Sequence, residues 1–77
     1  MTTQAFLNEL ERLLQMPAAS VRMETVLSEH AAWDSFGVME FIVFVDDSFG
    51  VTIPAHEINA CRTVGDLKAL CGDHIKD

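Results

Sequence analysis

The hydroxyl of Ser35 is the side chain of this sequence best placed for a covalent attachment. Ser35 follows Asp34 and precedes a long apolar segment, so the pair stands where a helix is predicted to begin. The first turn of a helix has free N–H groups and the positive end of the helix dipole, which together favour a phosphate group attached there. An Asp-Ser pair in this position is more often a simple helix cap, and these two residues alone do not decide between the two interpretations.

The cysteines and histidines offer weaker chemistry. Cys71 and His74 could share a metal ion with Cys61, but the chain has no Cys-x-x-Cys motif to support such a site, and we expect no metal. A Cys–His nucleophile would need an orienting acid and a pocket, and the sequence places neither beside these residues. We expect both cysteines to be buried thiols and His30 and His56 to be surface residues. No catalytic residue is predicted.

Four helices are predicted to position Ser35. Apolar residues at helical spacing predict a helix over about residues 3–16, which Pro17 ends. Residues 17–34 show no sustained period and predict a long ordered loop, a kind of loop that is often functional. The apolar segment of about residues 35–49 is too long for a strand and is followed by Gly50, so we predict a second helix.

Two further helices complete the predicted fold. Pro54 suits the start of a short helix over about residues 54–59, and Thr63 can cap a last helix over about residues 63–75. The expected fold is all-α, a small bundle of three main helices plus one short helix with a long first loop. We expect residues 1–77 to form a single domain, since a chain of this length has room for one small core.

Composition excludes several classes of function. The chain has 12 acidic and 5 basic residues and a formal charge of −7, which argues against nucleic-acid binding. No apolar run approaches the roughly 20 residues that span a bilayer, and the N-terminus does not look like a signal peptide, so we expect no membrane insertion. The two cysteines are too few for a disulfide scaffold, which favours a reduced, cytoplasmic protein.

The net charge lies in the middle of the chain. Seven acidic residues and no lysine or arginine stand between Met23 and Cys61, while acids and bases balance outside this segment. A region of one sign attracts partners of the opposite sign and speeds their encounter. A merely solubilising acidic face is the simpler interpretation of the composition alone.

A longer pattern surrounds Ser35, formed by three motifs in a fixed order. They are Asp34-Ser35-Phe36, the segment 49–54 (Phe-Gly-Val-Thr-Ile-Pro) and the segment 63–66 (Thr-Val-Gly-Asp). With the acidic helix between the first two, they resemble the acyl carrier protein family without gaps from about residue 31 to about residue 70. Each motif is weak alone, but their order and spacing together are specific.

The resemblance implies that Ser35 carries 4′-phosphopantetheine, donated from coenzyme A by a separate phosphopantetheinyl transferase. A thiol at the end of this arm would hold cargo as a thioester, so the protein itself would be a carrier and no enzyme. Asp34 matches the acid before the modified serine and would help to bind the transferase and its metal.

The resemblance also implies a docking face for enzymes with basic patches. These partners would be an acyl- or aminoacyl-loading ligase and downstream synthase or tailoring enzymes, and the carrier is expected to be a monomer. The residues assigned to partner docking are Phe36, Val38, Met39, Glu40, Asp46, Asp47 and Glu57.

Departures from the family pattern leave three hypotheses open. Phe36 and Gly37 stand where the family usually has a leucine and an acid, and Asp-Ser-Phe-Gly is similar to D-alanyl carrier proteins and to some aminoacyl carriers. The first hypothesis is a free-standing acyl or aminoacyl carrier of a dedicated fatty-acid, polyketide or modified-amino-acid pathway. The second is a D-alanyl carrier for teichoic-acid modification, and the third is an unmodified helical interaction module.

Overall fold

A computed structural model describes residues 1–76, and the ordered elements in this range are four α-helices, two 3-10 turns and one isolated antiparallel bridge. The helices are α1 (Thr3–Leu14), α2 (Ser35–Phe49), α3 (Ala55–Asn59) and α4 (Val64–Cys71), and the 3-10 turns are Leu27–Glu29 and Gly72–His74. The predicted all-α fold and small-bundle architecture are confirmed. None of the helices in this range is long and apolar enough to cross a membrane.

Helix α1 ends before residue 16, the predicted end, because the chain turns at Gln15. Gln15 adopts the left-handed conformation, with φ of 56°. Its amide donates to the Arg12 carbonyl (3.3 Å), and the Met16 amide donates to the Glu11 carbonyl (2.8 Å). These two bonds form a Schellman motif, which ends the helix at Leu14 with glutamine in the place that glycine usually takes.

Helix α2 has a clear signal at each end. Asp34 caps its N-terminus, and Gly50 follows its C-terminus in the left-handed conformation, with φ of 70°. The Gly50 amide donates to the Asp46 carbonyl (2.9 Å), which closes the last turn. The observed limits coincide with the predicted ones because both caps have their usual residue types.

Helix α4 begins with a capping box and ends earlier than predicted. The Asp66 amide donates to Thr63 Oγ1 (3.3 Å), and Asp66 Oδ2 accepts from the Thr63 amide (3.1 Å). The helix stops at Cys71 because Gly72 has φ of 58°, and a 3-10 turn follows where the helix was predicted to continue. Ile75 lies beyond the helix and is still buried.

The core joins the apolar faces of all four helices. Phe6 of α1, Phe41 of α2, Ile58 of α3 and Leu67 of α4 are each fully buried. Burial of these apolar surfaces is the main force that holds so short a chain in one fold.

The first loop is ordered because the rest of the chain binds its backbone. The Leu27 amide donates to the Arg62 carbonyl (2.9 Å). The Gly65 amide donates to the Met23 carbonyl (2.8 Å) at the start of α4. These bonds fix the loop to the junction of α3 and α4, so the segment that leads to Ser35 has a defined path.

Candidate functional site

Ser35 is the first residue of α2, and its side chain is exposed to solvent. Asp34 precedes it in an extended conformation, and Asp34 Oδ1 accepts a hydrogen bond from the Gly37 amide (2.9 Å). Asp34 is therefore the residue that caps α2. The Ser35 hydroxyl takes no part in the capping hydrogen bond. An anion joined to that hydroxyl would lie at the positive end of the helix dipole.

Gly37 allows the first loop to cross the start of α2 at close range. Gly37 is buried, and a Cβ added to it would overlap the carbonyl oxygen of Ala32. The sequence reasoning treated Gly37 as a missing acid and did not recognise this contact. The available signal was the glycine itself, because glycine inside a helix costs about 1 kcal/mol relative to alanine and often marks a close backbone approach.

An open groove of about 390 Å³ lies beside Ser35, between α2 and α3. It is lined by Trp33 and Asp34 of the first loop, by Ser35, Val38, Met39 and Ile42 of α2, and by Ala55 and Asn59 of α3. We call this feature the Ser35 groove. Its walls are mainly apolar, and the Asn59 amide and the Asp34 carboxylate supply polar groups.

Three large apolar side chains lie exposed along α2 at helical spacing. The exposed fractions are 58% for Phe36, 58% for Met39 and 52% for Val43. We call these residues the outer stripe. With Glu40, Phe44 and Asp47 of α2 and Arg12 of α1, they line a second open groove of about 400 Å³. A contiguous exposed apolar surface of this kind marks an interaction site in many proteins.

The structure places Val38 in the core, with 7% of its surface exposed. Val38 shares the buried face of α2 with Phe41 and Val45, which follow it at helical spacing of three and seven residues. Val38 is therefore largely covered in this structure, and its assignment to partner docking stays a prediction. Its remaining surface lines the Ser35 groove.

The acidic residues assigned to docking lie at or near the surface. Asp46, Asp47 and Glu57 are exposed, and Glu40 is half-buried. The ion pair found among residues 1–76 joins the Arg12 guanidinium to the Glu9 carboxylate (3.0 Å), so within this range the four docking carboxylates have no side-chain ion pair. Their charge is available to a partner.

The two thiols are poor nucleophiles. Burial raises the pKa of the Cys71 thiol to about 11. Cys61 is half-buried, which corrects the expectation of a buried thiol, and its pKa is raised by burial and by the nearby carboxylates of Asp66 and Glu57. A thiol with a raised pKa has little thiolate at neutral pH and is therefore a weak nucleophile.

The histidines stand apart from Ser35 and its groove. His56 is exposed, as predicted, whereas His30 is half-buried. The His74 ring stacks on Phe49 with ring centroids 5.0 Å apart. In the part of the chain that the structure describes, no group of three His, Cys, Asp or Glu side chains could hold a metal ion.

Comparison with known proteins gives one family and two curated relatives. Residues 4–71 match a family model described as the phosphopantetheine attachment site. A probable acyl carrier protein of Caulobacter vibrioides is 34% identical over 56 residues, which are 73% of this chain and 65% of that protein. An acyl carrier protein of Acidothermus cellulolyticus is 33% identical over 51 residues, which are 66% of this chain and 61% of that protein.

The matched segment thus spans less than two thirds of each relative's own length. No solved structure matches the chain significantly.

Proposed function

The chain belongs to the acyl carrier protein family of phosphopantetheine-bearing proteins, and from that premise we propose that Ser35 is its attachment residue. The carrier would then hold acyl or aminoacyl groups as thioesters and present them to partner enzymes. The observation that carries this proposal is the exposed Ser35 hydroxyl at the first residue of α2, within the matched residues 4–71.

The residues around Ser35 fit a covalent phosphopantetheine group. The hydroxyl is reachable from solvent, the helix dipole favours a phosphodiester there, and the Ser35 groove offers apolar walls beside it. Asp34 is also exposed, so a carboxylate oxygen not used by the cap can contact the transferase or its metal ion. When bound, the arm supplies a terminal thiol that holds cargo as a thioester.

The residues of this chain position the arm and perform no chemistry on the cargo in this proposal. The thiols of Cys61 and Cys71 are protonated at neutral pH, and the histidines do not line the Ser35 groove. Activation and transfer of the cargo would therefore take place in partner enzymes.

The partner surface in this proposal combines the outer stripe with the carboxylates around it. Phe36 and Met39 are exposed close to Ser35, and Glu40 and Asp47 border the same groove. A partner with a basic patch around an apolar contact would complement this surface. The transferase, a loading ligase and downstream synthase or tailoring enzymes are the partners we propose for it.

The D-alanyl carrier hypothesis loses one of its arguments. Gly37 has a structural reason to be glycine, the close approach of the Ala32 carbonyl, so it does not by itself indicate a cargo. A dedicated fatty-acid, polyketide or modified-amino-acid pathway and a D-alanyl pathway both stay hypotheses. Identification of the enzyme that loads the holo form would separate them.

We also propose that residues 1–77 form one carrier domain that acts as a monomer in the cytoplasm. The family match over residues 4–71 supports a single domain. Two free cysteines are consistent with a reducing compartment.

Intact-mass measurement tests the attachment at Ser35. The protein is co-expressed with a broad-specificity phosphopantetheinyl transferase, alongside the variants Ser35→Ala and Ser48→Ala. Ser48 is an exposed serine at the other end of α2 and provides a matched control. We expect the mass of the arm on the wild type and on Ser48→Ala, and no added mass on Ser35→Ala.

Two results would contradict the proposal. An unmodified wild type would favour the helical interaction module, and an arm on Ser35→Ala would place the attachment at another residue.

A further inference from the structure

The centre of the bundle is filled by aromatic rings. Phe6 and Phe41 are fully buried, and Phe44 is 8% exposed. The ring centroids lie 6.2 Å apart for Phe6 and Phe41, and 6.0 Å apart for Phe41 and Phe44. Rings at such distances are in direct contact, so they occupy the space between α1 and α2.

Trp33 extends this cluster to the Ser35 groove. Its ring packs edge-on against Phe41 with centroids 6.1 Å apart, and it also lines the groove. Trp33, Val38 and Ile42 line the groove and also pack in or against the core, and Phe41 lies behind Trp33. A chain that enters the bundle from the groove would have to displace these side chains, and close-packed interiors resist such displacement.

The backbone around the groove is held in place as well. Ala32 lies against Gly37 at the start of α2, and the Trp33 amide donates to the His30 carbonyl (3.0 Å). These contacts keep the first loop closed over the end of the helix. The groove itself is open to solvent along its length.

We infer that the cargo is a short acyl or aminoacyl group that stays in the Ser35 groove and does not enter the helix bundle. This inference rests on the proposed attachment at Ser35. The groove begins at the attachment residue, and its volume of about 390 Å³ is in the lower part of the range of small-molecule sites. Its walls are mainly apolar with Asp34 and Asn59 among them, which fits a short acyl or aminoacyl group lying in the open groove.

A chain-length series tests the inference on the intact protein. The transferase moves acetyl-, hexanoyl- or dodecanoyl-4′-phosphopantetheine from the matching coenzyme A thioester to the carrier, with adenosine 3′,5′-bisphosphate as the leaving group. Intact mass verifies each product. The melting temperature of each form is then measured by circular dichroism. A chain that is buried only in the folded state would raise the melting temperature in proportion to its length.

We expect no rise in melting temperature from acetyl to dodecanoyl. Phe41→Leu provides a comparison variant, because a smaller side chain leaves space in the centre of the bundle. In Phe41→Leu the dodecanoyl form should melt above the acetyl form. If Phe41→Leu does not fold, the melting temperatures of the wild-type series alone decide whether the cargo enters the bundle.

The two proposals fail in different ways. Absence of any loaded product would overturn the attachment at Ser35 and the cargo inference with it. Successful loading followed by a stepwise rise in melting temperature with chain length in the wild type would overturn the cargo inference alone.

Discussion

Ser35 is exposed at a defined position because its neighbours are held on both sides. Asp34 caps the helix through the Gly37 amide, and the Ala32 carbonyl occupies the space that a Cβ on Gly37 would need. Trp33 packs against Phe41 in the core. A modified serine needs this combination, since a partner enzyme must reach the hydroxyl while the backbone beneath it stays in place.

Replacement of Gly37 by alanine tests the close approach. The added Cβ would overlap backbone atoms, which cannot rotate away as a side chain can. Overpacking costs about 1–3 kcal/mol, and overlap with a backbone atom belongs to the upper part of this range, about 2–3 kcal/mol. Alanine gains back roughly 1 kcal/mol over glycine in a helix. We expect Gly37→Ala to lower the free energy of unfolding in urea by about 1–2 kcal/mol.

Ser48→Ala is the control for this substitution. Ser48 is exposed on the same helix, and its replacement should change the stability by less than about 0.5 kcal/mol. A Gly37→Ala variant as stable as the wild type would show that the loop moves aside without cost.

At the level of single residues, capping preferences predicted that Asp34 and Ser35 stand at the start of α2. The family resemblance, and not a local rule, indicated Ser35 as the attachment residue, and neither predicted the contacts that hold this backbone in place. The need for glycine at position 37 could not be predicted from local sequence. It comes from the carbonyl of Ala32, a loop residue that lies beside Gly37 only in the folded chain. The burial of Val38 could not be predicted either, because α2 is apolar almost all round and its sequence does not distinguish the buried face from the exposed one.

Among the elements, α4 depends most on its cap. It has 8 residues, and a helix this short is not stable without tertiary contacts and capping. The Asp66 carboxylate accepts from the amides of Arg62 and Thr63, and these bonds lower its pKa below the ordinary value. The same cap fixes the end of α4 to which the first loop is bound.

The lowered pKa of Asp66 predicts a dependence of stability on pH. Because this pKa is lower in the folded state, the carboxylate stabilises the fold above the ordinary aspartate range, and the stabilisation is lost as pH falls through the folded pKa. We expect Asp66→Asn to be less stable than the wild type at about pH 6, with the difference shrinking towards about pH 3. Urea unfolding of both proteins across this range measures it, and a constant difference would contradict the assignment.

The helix ends show which boundaries a sequence can predict. Helix α2 has an aspartate cap and a following glycine, so its limits could be predicted. Helix α1 ends at a left-handed Gln15, and no residue-type preference points to a glutamine there. Helix α4 ends before Gly72. The sequence did not predict this end, because the apolar pattern continues past Gly72 to Ile75, which is buried although it lies outside the helix.

Over the whole molecule, the acidic segment and the exposed apolar surface meet on α2. The net charge of −7 comes from residues between 23 and 61, and Glu40 and Asp47 of this segment border the groove that the outer stripe lines. Composition alone favours a solubilising face, whereas carboxylates beside an exposed apolar stripe favour a docking surface.

Charge reversal on this surface tests the docking proposal. Asp47→Lys should slow modification by the transferase by roughly 3-fold or more at low salt, because it removes attraction to a basic partner. Added salt should reduce the effect, since the Debye length is only about 8 Å at physiological ionic strength. Asp73→Lys, an exposed reversal outside the segment, makes the same change in net charge and should leave the rate nearly unchanged.

If Asp47→Lys and Asp73→Lys slowed modification to the same extent, only the total charge of the protein would matter. If both variants were modified as fast as the wild type, the acidic face of α2 would be a solubilising surface.

Fragmentation mass spectrometry of the modified protein locates the attachment residue directly. The co-expressed wild type is digested, and the peptide that contains Ser35 is fragmented to find the added group. We expect the phosphopantetheine mass on Ser35 and on no other serine. A fully modified protein with the group on another residue, or a Ser35 peptide found only without the group, would contradict it.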